Sequence, residues 1–155
     1  MAVSTRYLED FPVGEVYDLG EVKVTEEEVL SFGRAYDPQM FHTDPERARE
    51  SHFGGLVASG WLTASLFMRR YVEEILADSA GEGSPGVDEL RFHRPVRPGD
   101  VLRARLTVLG VAPVLHSKQS GILRPRCELL DEEGTVVFSM VLHSIFRRRP
   151  AGQDT

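Results

Sequence analysis

Asp37 and His42 are the two groups in this chain best suited to move a proton together. They stand five positions apart, separated by Pro38, Gln39, Met40 and Phe41. An imidazole with an ordinary pKa of about 6.5 exchanges protons near neutrality, and a carboxylate beside it either orients the ring or shares the proton. Phe53-Gly54-Gly55 follows closely, and glycine lets backbone N–H groups approach a ligand. Acid–base groups beside a glycine loop, among bulky apolar residues, point to proton chemistry on a small molecule.

The elements that must position this pair are readable on either side of it. Thr25-Glu26-Glu27-Glu28 has the spacing of a capping box, and Val29, Phe32 and Tyr36 recur at helical spacing. These features predict a helix over Glu26–Tyr36 that stops at Asp37, because Pro38 disfavours helical geometry in the residue before it. Asp44 and Pro45 are an N-cap and a first helical residue. The pattern from Leu56 to Ala77 is the longest helical one. Its first half is apolar or small on every side, as in a helix buried within a core. Strands are expected over Val16–Val24, interrupted near Gly20, and over Val87–Val96, Val101–Val114, Lys118–Leu130 and Thr135–Arg147. The last two flank the turn Asp131-Glu132-Glu133-Gly134. Helices followed by antiparallel strands make an α+β domain whose sheet wraps one long helix.

Composition narrows the class. The 155 residues carry a net charge of −6, without the basic footprint of a nucleic-acid binder. Cys127 is the only cysteine, so no internal disulfide is available, and a reducing cytoplasm fits. The four other histidines, His52, His93, His116 and His143, lack metal-ligand spacing. No apolar run approaches the ~20 residues that cross a bilayer, and Met1–Asp10 does not resemble a signal peptide. The expectation is one domain over residues 1–150 with a disordered tail at 151–155, and neither membrane nor nucleic-acid partners.

Asp37-Pro38-Gln39-Met40-Phe41-His42 resembles the hydratase motif of the MaoC-like (R)-specific enoyl-CoA hydratases and dehydratases, in which Asp, Asn-Pro, an aliphatic residue and His occur in that order. Phe53-Gly54-Gly55 leading into Ala58-Ser59-Gly60-Trp61-Leu62 resembles that family's loop and central-helix start. Phe92-His93-Arg94-Pro95-Val96-Arg97-Pro98-Gly99-Asp100 resembles its strand entry and turn. The likeness runs from about Tyr7 to Arg147. The chain departs from the pattern at Tyr36, where the family has glycine, at Gln39-Met40 in place of Asn-Pro, and at Ser59, where histidine is frequent.

This resemblance implies a hotdog fold and hydration or dehydration of an α,β-unsaturated acyl thioester, with Asp37 and His42 holding one water between them. Gly54, Gly55, Ser59 and Gly60 are the expected oxyanion and substrate-binding positions. Tyr36, Met40, Phe41, Trp61 and Leu62 are the expected acyl pocket. No cofactor or metal is required, coenzyme A entering only as part of the substrate, with acyl carrier protein as the other possible carrier. A homodimer or higher homo-oligomer is implied. Two other activities fit a hotdog chain: an acyl-CoA thioesterase, and a non-catalytic acyl-thioester binding protein. Arg147-Arg148-Arg149 reads as a solvated strand end rather than a phosphate site.

Overall fold

The computed structural model describes residues 4–153. Its frame is a five-stranded antiparallel sheet in the order β1-β3-β4-β5-β2, with β1 Val16–Lys23, β2 Gly86–Phe92, β3 Val101–Val114, β4 Ser117–Leu130 and β5 Val136–Arg147. Four helices accompany it: α1 Glu26–Tyr36, α2 Met40–Thr43, α3 Pro45–Arg49 and α4 Gly60–Glu74. The sheet curls around α4 in the hotdog arrangement that the sequence resemblance implies.

Alternation along the strands explains the wrap. On β5, Phe138, Met140, Leu142, Ser144 and Phe146 are buried at every second position, the period that sends side chains to one face. Leu62, Leu66, Phe67 and Tyr71 on α4 are buried with them, and the Phe67 and Phe138 rings lie 6.3 Å apart. Tyr71 is fully enclosed and donates its hydroxyl to Ser144 Oγ at 2.9 Å, so the polar end of this core ring is satisfied. One core cluster runs from Leu8 to Phe146 and includes Cys127. Burial drives that thiol's pKa well up, leaving it a small core residue.

Several boundaries differ from the sequence reading. The central helix begins at Gly60, not Leu56, and ends at Glu74 before a 3-10 turn at Leu76–Asp78. Leu56–Ser59 is instead an extended segment stitched on both sides: Val57 N–H donates to the Phe41 carbonyl and Ala58 N–H to that of Val96. Those bonds tie the segment to chain on either side of it, and Ser59 caps the start of α4 by accepting from Trp61 N–H at 3.3 Å. Nor is the first half of α4 enclosed on every side, since Trp61 is 61% exposed.

The strand expected over Val87–Val96 ends at Phe92. The capping box of α1 is half formed: Thr25 accepts from Glu28 N–H, while the Glu28 carboxylate turns to Arg69 at 2.9 Å. A short helix, α2, was not anticipated. The expected break in β1 is present as a register shift between Asp18 and Gly20. Arg147, Arg148 and Arg149 pair with Glu82, Glu9 and Asp10, as befits a strand end rather than a phosphate site. Of the tail expected to be disordered, Asp154 and Thr155 lie outside the described residues.

Candidate active site

The backbone between α1 and α3 folds into two consecutive stops. Asp37 is the C-cap of α1, its N–H bonded to the Gly33 carbonyl, and Pro38 prevents the helix from continuing. Gln39 then restarts a single turn, α2, and its carbonyl accepts from His42 N–H and from the Thr43 hydroxyl at 3.0 Å. Asp44 closes that turn and caps α3, its side chain accepting from the N–H groups of Glu46 and Arg47. This carries the His42 ring inward, where its side chain is only 8% exposed, and brings Nε2 within 3.3 Å of Asp37 Oδ2.

Both groups are held from behind. His42 Nδ1 lies 2.7 Å from the Val57 carbonyl oxygen, which has no proton to give. Nδ1 must therefore be the protonated nitrogen, and Nε2, facing Asp37, is the position left to take up or release a proton. The extended segment that displaced the first turn of the expected helix thus sets the tautomer of the histidine. Asp37 is held at both oxygens: Ser59 donates to Oδ2 at 2.7 Å and Gln39 Nε2 to Oδ1 at 2.8 Å. Burial pushes the Asp37 carboxyl up, but these donated hydrogen bonds and the neighbouring His42 outweigh it and hold the group below its ordinary value.

Ser59 is 1% exposed, and its single proton goes to Asp37. It positions the carboxylate and has no donor left for a substrate oxygen. Removing its hydroxyl in Ser59→Ala takes away one of the donors that favour the charged carboxylate. The Asp37 pKa is then expected to rise toward its ordinary value, so the charged form is lost at a higher pH as acid is added. The acid limb of a pH–rate profile should move up in pH, with a loss of about tenfold in rate near neutrality.

A cavity of about 380 Å³ opens beside His42, while Asp37 and Ser59 stand behind the ring and outside the cavity wall. His42, Phe41 and Gly60 line it, together with Phe53, Thr63, Phe92 and Val137 among others. The structure therefore gathers Asp37, His42, Ser59, Gly60 and Phe41 of the residues singled out in the sequence. It leaves the others apart. Tyr36 is 77% exposed and packs on Phe32; Trp61 turns outward; Leu62 is buried in the core; Met40, half-buried, does not line the cavity. Gly54 and Gly55 also stand outside it, and Gly54 N–H is already donated to Ser51. Gly60 is the first residue of α4, and its N–H pairs with no group among the described residues. It lies at the positive end of a helix 15 residues long.

Nothing in the residue types points to the Val57 carbonyl, a backbone group. Val137 reaches the cavity wall through the pairing of β5 with the β2 end, where His93 N–H donates to its carbonyl. Gln39 is more legible in the sequence: an amide two residues after an aspartate is within reach of its carboxylate, and here it donates to Oδ1. A larger cavity, about 500 Å³, lies at the β1 edge and holds none of these residues. Its Arg103 and Arg105 are spent on Asp18, Glu21 and Glu128. No helix among the described residues is long and apolar enough to cross a membrane.

Residues 10–123 match the model of the MaoC like domain. Over 128 residues the chain is 30% identical to the 3-hydroxyacyl-thioester dehydratase Z of Mycobacterium tuberculosis, spanning 81% of this chain and 83% of that protein. It is 29% identical over 110 residues to the (R)-specific enoyl-CoA hydratase of Rhodospirillum rubrum, 69% of this chain and 72% of that one. The crystal structure of a MaoC-like dehydratase from the same organism superposes with a TM-score of 0.85 at 37% identity, covering 94% of this chain and 99% of the other.

Proposed function

The chain belongs to the MaoC-like domain family, and from that premise we propose that it is a hydro-lyase acting on an α,β-unsaturated acyl thioester. The observation that carries the proposal is the Asp37–His42 pair, whose outer faces are held by Ser59, Gln39 and the Val57 carbonyl beside an apolar cavity. Such an arrangement leaves one Nε2 and one carboxylate oxygen to share a water.

In the hydration direction, water held between Asp37 and His42 Nε2 attacks the β-carbon, and its proton passes to the pair. The electrons of the carbon–carbon double bond move onto the thioester as an enolate, toward whose oxygen the Gly60 N–H donates. The same proton is then returned to the α-carbon, so one water is added and the pair is restored. Dehydration is the reverse. A donor at an oxyanion position supplies on the order of 3 kcal/mol of transition-state stabilisation. The reaction is redox-neutral and needs no cofactor; coenzyme A, or a carrier protein bearing the same thioester arm, enters with the substrate. Residues 1–150 act as one domain.

The test is incubation with enoyl-CoA thioesters of graded length and branching, following the enoyl absorbance and free thiol together. Loss of absorbance without thiol supports a hydratase. Release of thiol identifies a thioesterase instead, and binding without turnover identifies an acyl-thioester binding protein.

The functional unit is a homodimer formed through β2. This edge strand is nearly exposed along its whole length, and Val87, Phe92 and Trp61 lie exposed along it. A register shift within β2 puts Asp88 and Arg91 opposite Val141 and Ser139, hence on one face. A two-fold axis through the strand would set Asp88 of one copy against Arg91 of the other, ordinary chemistry for closing an edge. Light scattering should return twice the chain mass for the native protein and move toward the monomer for Arg91→Glu.

A further inference from the structure

Taking the cavity beside His42 as an acyl site, as proposed above, we infer that Phe92, seated against Gly60, is the wall that limits the length of acyl chain this protein accepts. Phe92 is the last residue of β2 and lines the same cavity as His42. Its ring stacks on the buried Phe138 at 6.0 Å and meets Trp61 edge-on at 6.4 Å. It lies so close to α4 that a Cβ built on Gly60 would come within 2.5, 2.6 and 2.8 Å of three of its ring atoms. Only glycine at the first position of α4 lets the ring occupy that place, so the pair works as a unit.

The wall is also the part of the cavity with room to change. Phe138 and Val137 are buried in the sheet at 0% and 1% exposure, whereas Phe92 is 48% exposed at the edge of the single chain, on the strand through which the proposed dimer forms. Shortening it opens the cavity without hollowing the core. Phe92 and His42 line the same cavity, so an acyl tail lying in it beside His42 would meet the Phe92 ring.

Binding of saturated acyl-CoAs of four to twelve carbons, measured by calorimetric titration, tests this without any turnover. Each methylene admitted to an apolar site contributes a factor of about four in affinity. Phe92→Ala should therefore move the optimum to longer chains, improving the long-to-short ratio of dissociation constants by about tenfold or more. Phe92→Leu, which keeps an apolar side chain on Phe138, should show a smaller shift in the same direction. An unchanged length preference in both variants, with the native protein binding acyl-CoA, would overturn the role of Phe92 and leave the acyl site standing. If the native protein binds no acyl-CoA of any length, the acyl site and the wall fall together.

Discussion

His42→Ala is expected to lower kcat/KM for enoyl-thioester hydration by about a thousandfold, the scale of a lost general acid–base group. The substitution removes the one nitrogen free to exchange a proton, and leaves the Val57 carbonyl without the donor it has in the native protein. Asp37→Asn should be nearly as damaging for a different reason. An amide keeps the shape but cannot take a proton, and Ser59 and Gln39 would still aim their donors at a group that is no longer charged. Steady-state kinetics on the single and double variants separate joint from independent roles. If the two act as one unit on one water, the double variant should be little worse than either single one. Multiplied losses would mean that each group acts alone.

Gly33→Ala is expected to cost about 1–3 kcal/mol of stability and to reduce activity by about a hundredfold in the protein that remains folded. Gly33 lies on the inner side of α1, where a Cβ would sit 2.6 Å from the His42 carbonyl oxygen and 3.0 Å from His42 Cβ. A carbonyl fixed in a helical turn cannot swing away as a flexible side-chain tip does. The added methyl must push α2, and His42 with it, away from Asp37. Chemical denaturation and steady-state kinetics on the same preparation read both effects. Wild-type activity with wild-type stability would show that α1 and α2 are not packed as tightly as the structure has them. The glycine is functional only through its lack of a side chain, so a site reading centred on reactive groups passes over it.

How much of this site was legible in the sequence depends on the kind of interaction. The extent of α1 was readable to the residue, because Thr25 begins it and Pro38 forbids it to continue past Asp37. The placement of Asp37 and His42 near each other followed from the same stop. The start of α4 was not readable. Leu56, Val57 and Ala58 are as apolar as a buried helix, and only their partners across the chain, Phe41 and Val96, make them extended. A run without periodicity cannot distinguish a buried strand-like segment from a buried helix.

The start of α4 decides the roles around it. A helix from Leu56 would make Gly54 and Gly55 its N-terminal donors and Ser59 a substrate contact. With the helix beginning at Gly60, Ser59 becomes its cap and the support of Asp37, and Gly60 inherits the free N–H at the helix end. The acyl residues suffered most. Trp61 and Tyr36 face outward in the single chain, while Phe92 and Val137, distant in sequence, reach the cavity through the pairing of β2 with β5.

The most direct test of the central claim is to run the reaction with an enoyl-CoA in heavy-oxygen water and find where the label goes. Attack by the water held between Asp37 and His42 at the β-carbon predicts label in the hydroxyl of an intact 3-hydroxyacyl thioester, and none in the His42→Ala control. Label in a free carboxylate, with thiol released, would mean that the water attacks the carbonyl carbon and that the pair has been assigned the wrong reaction.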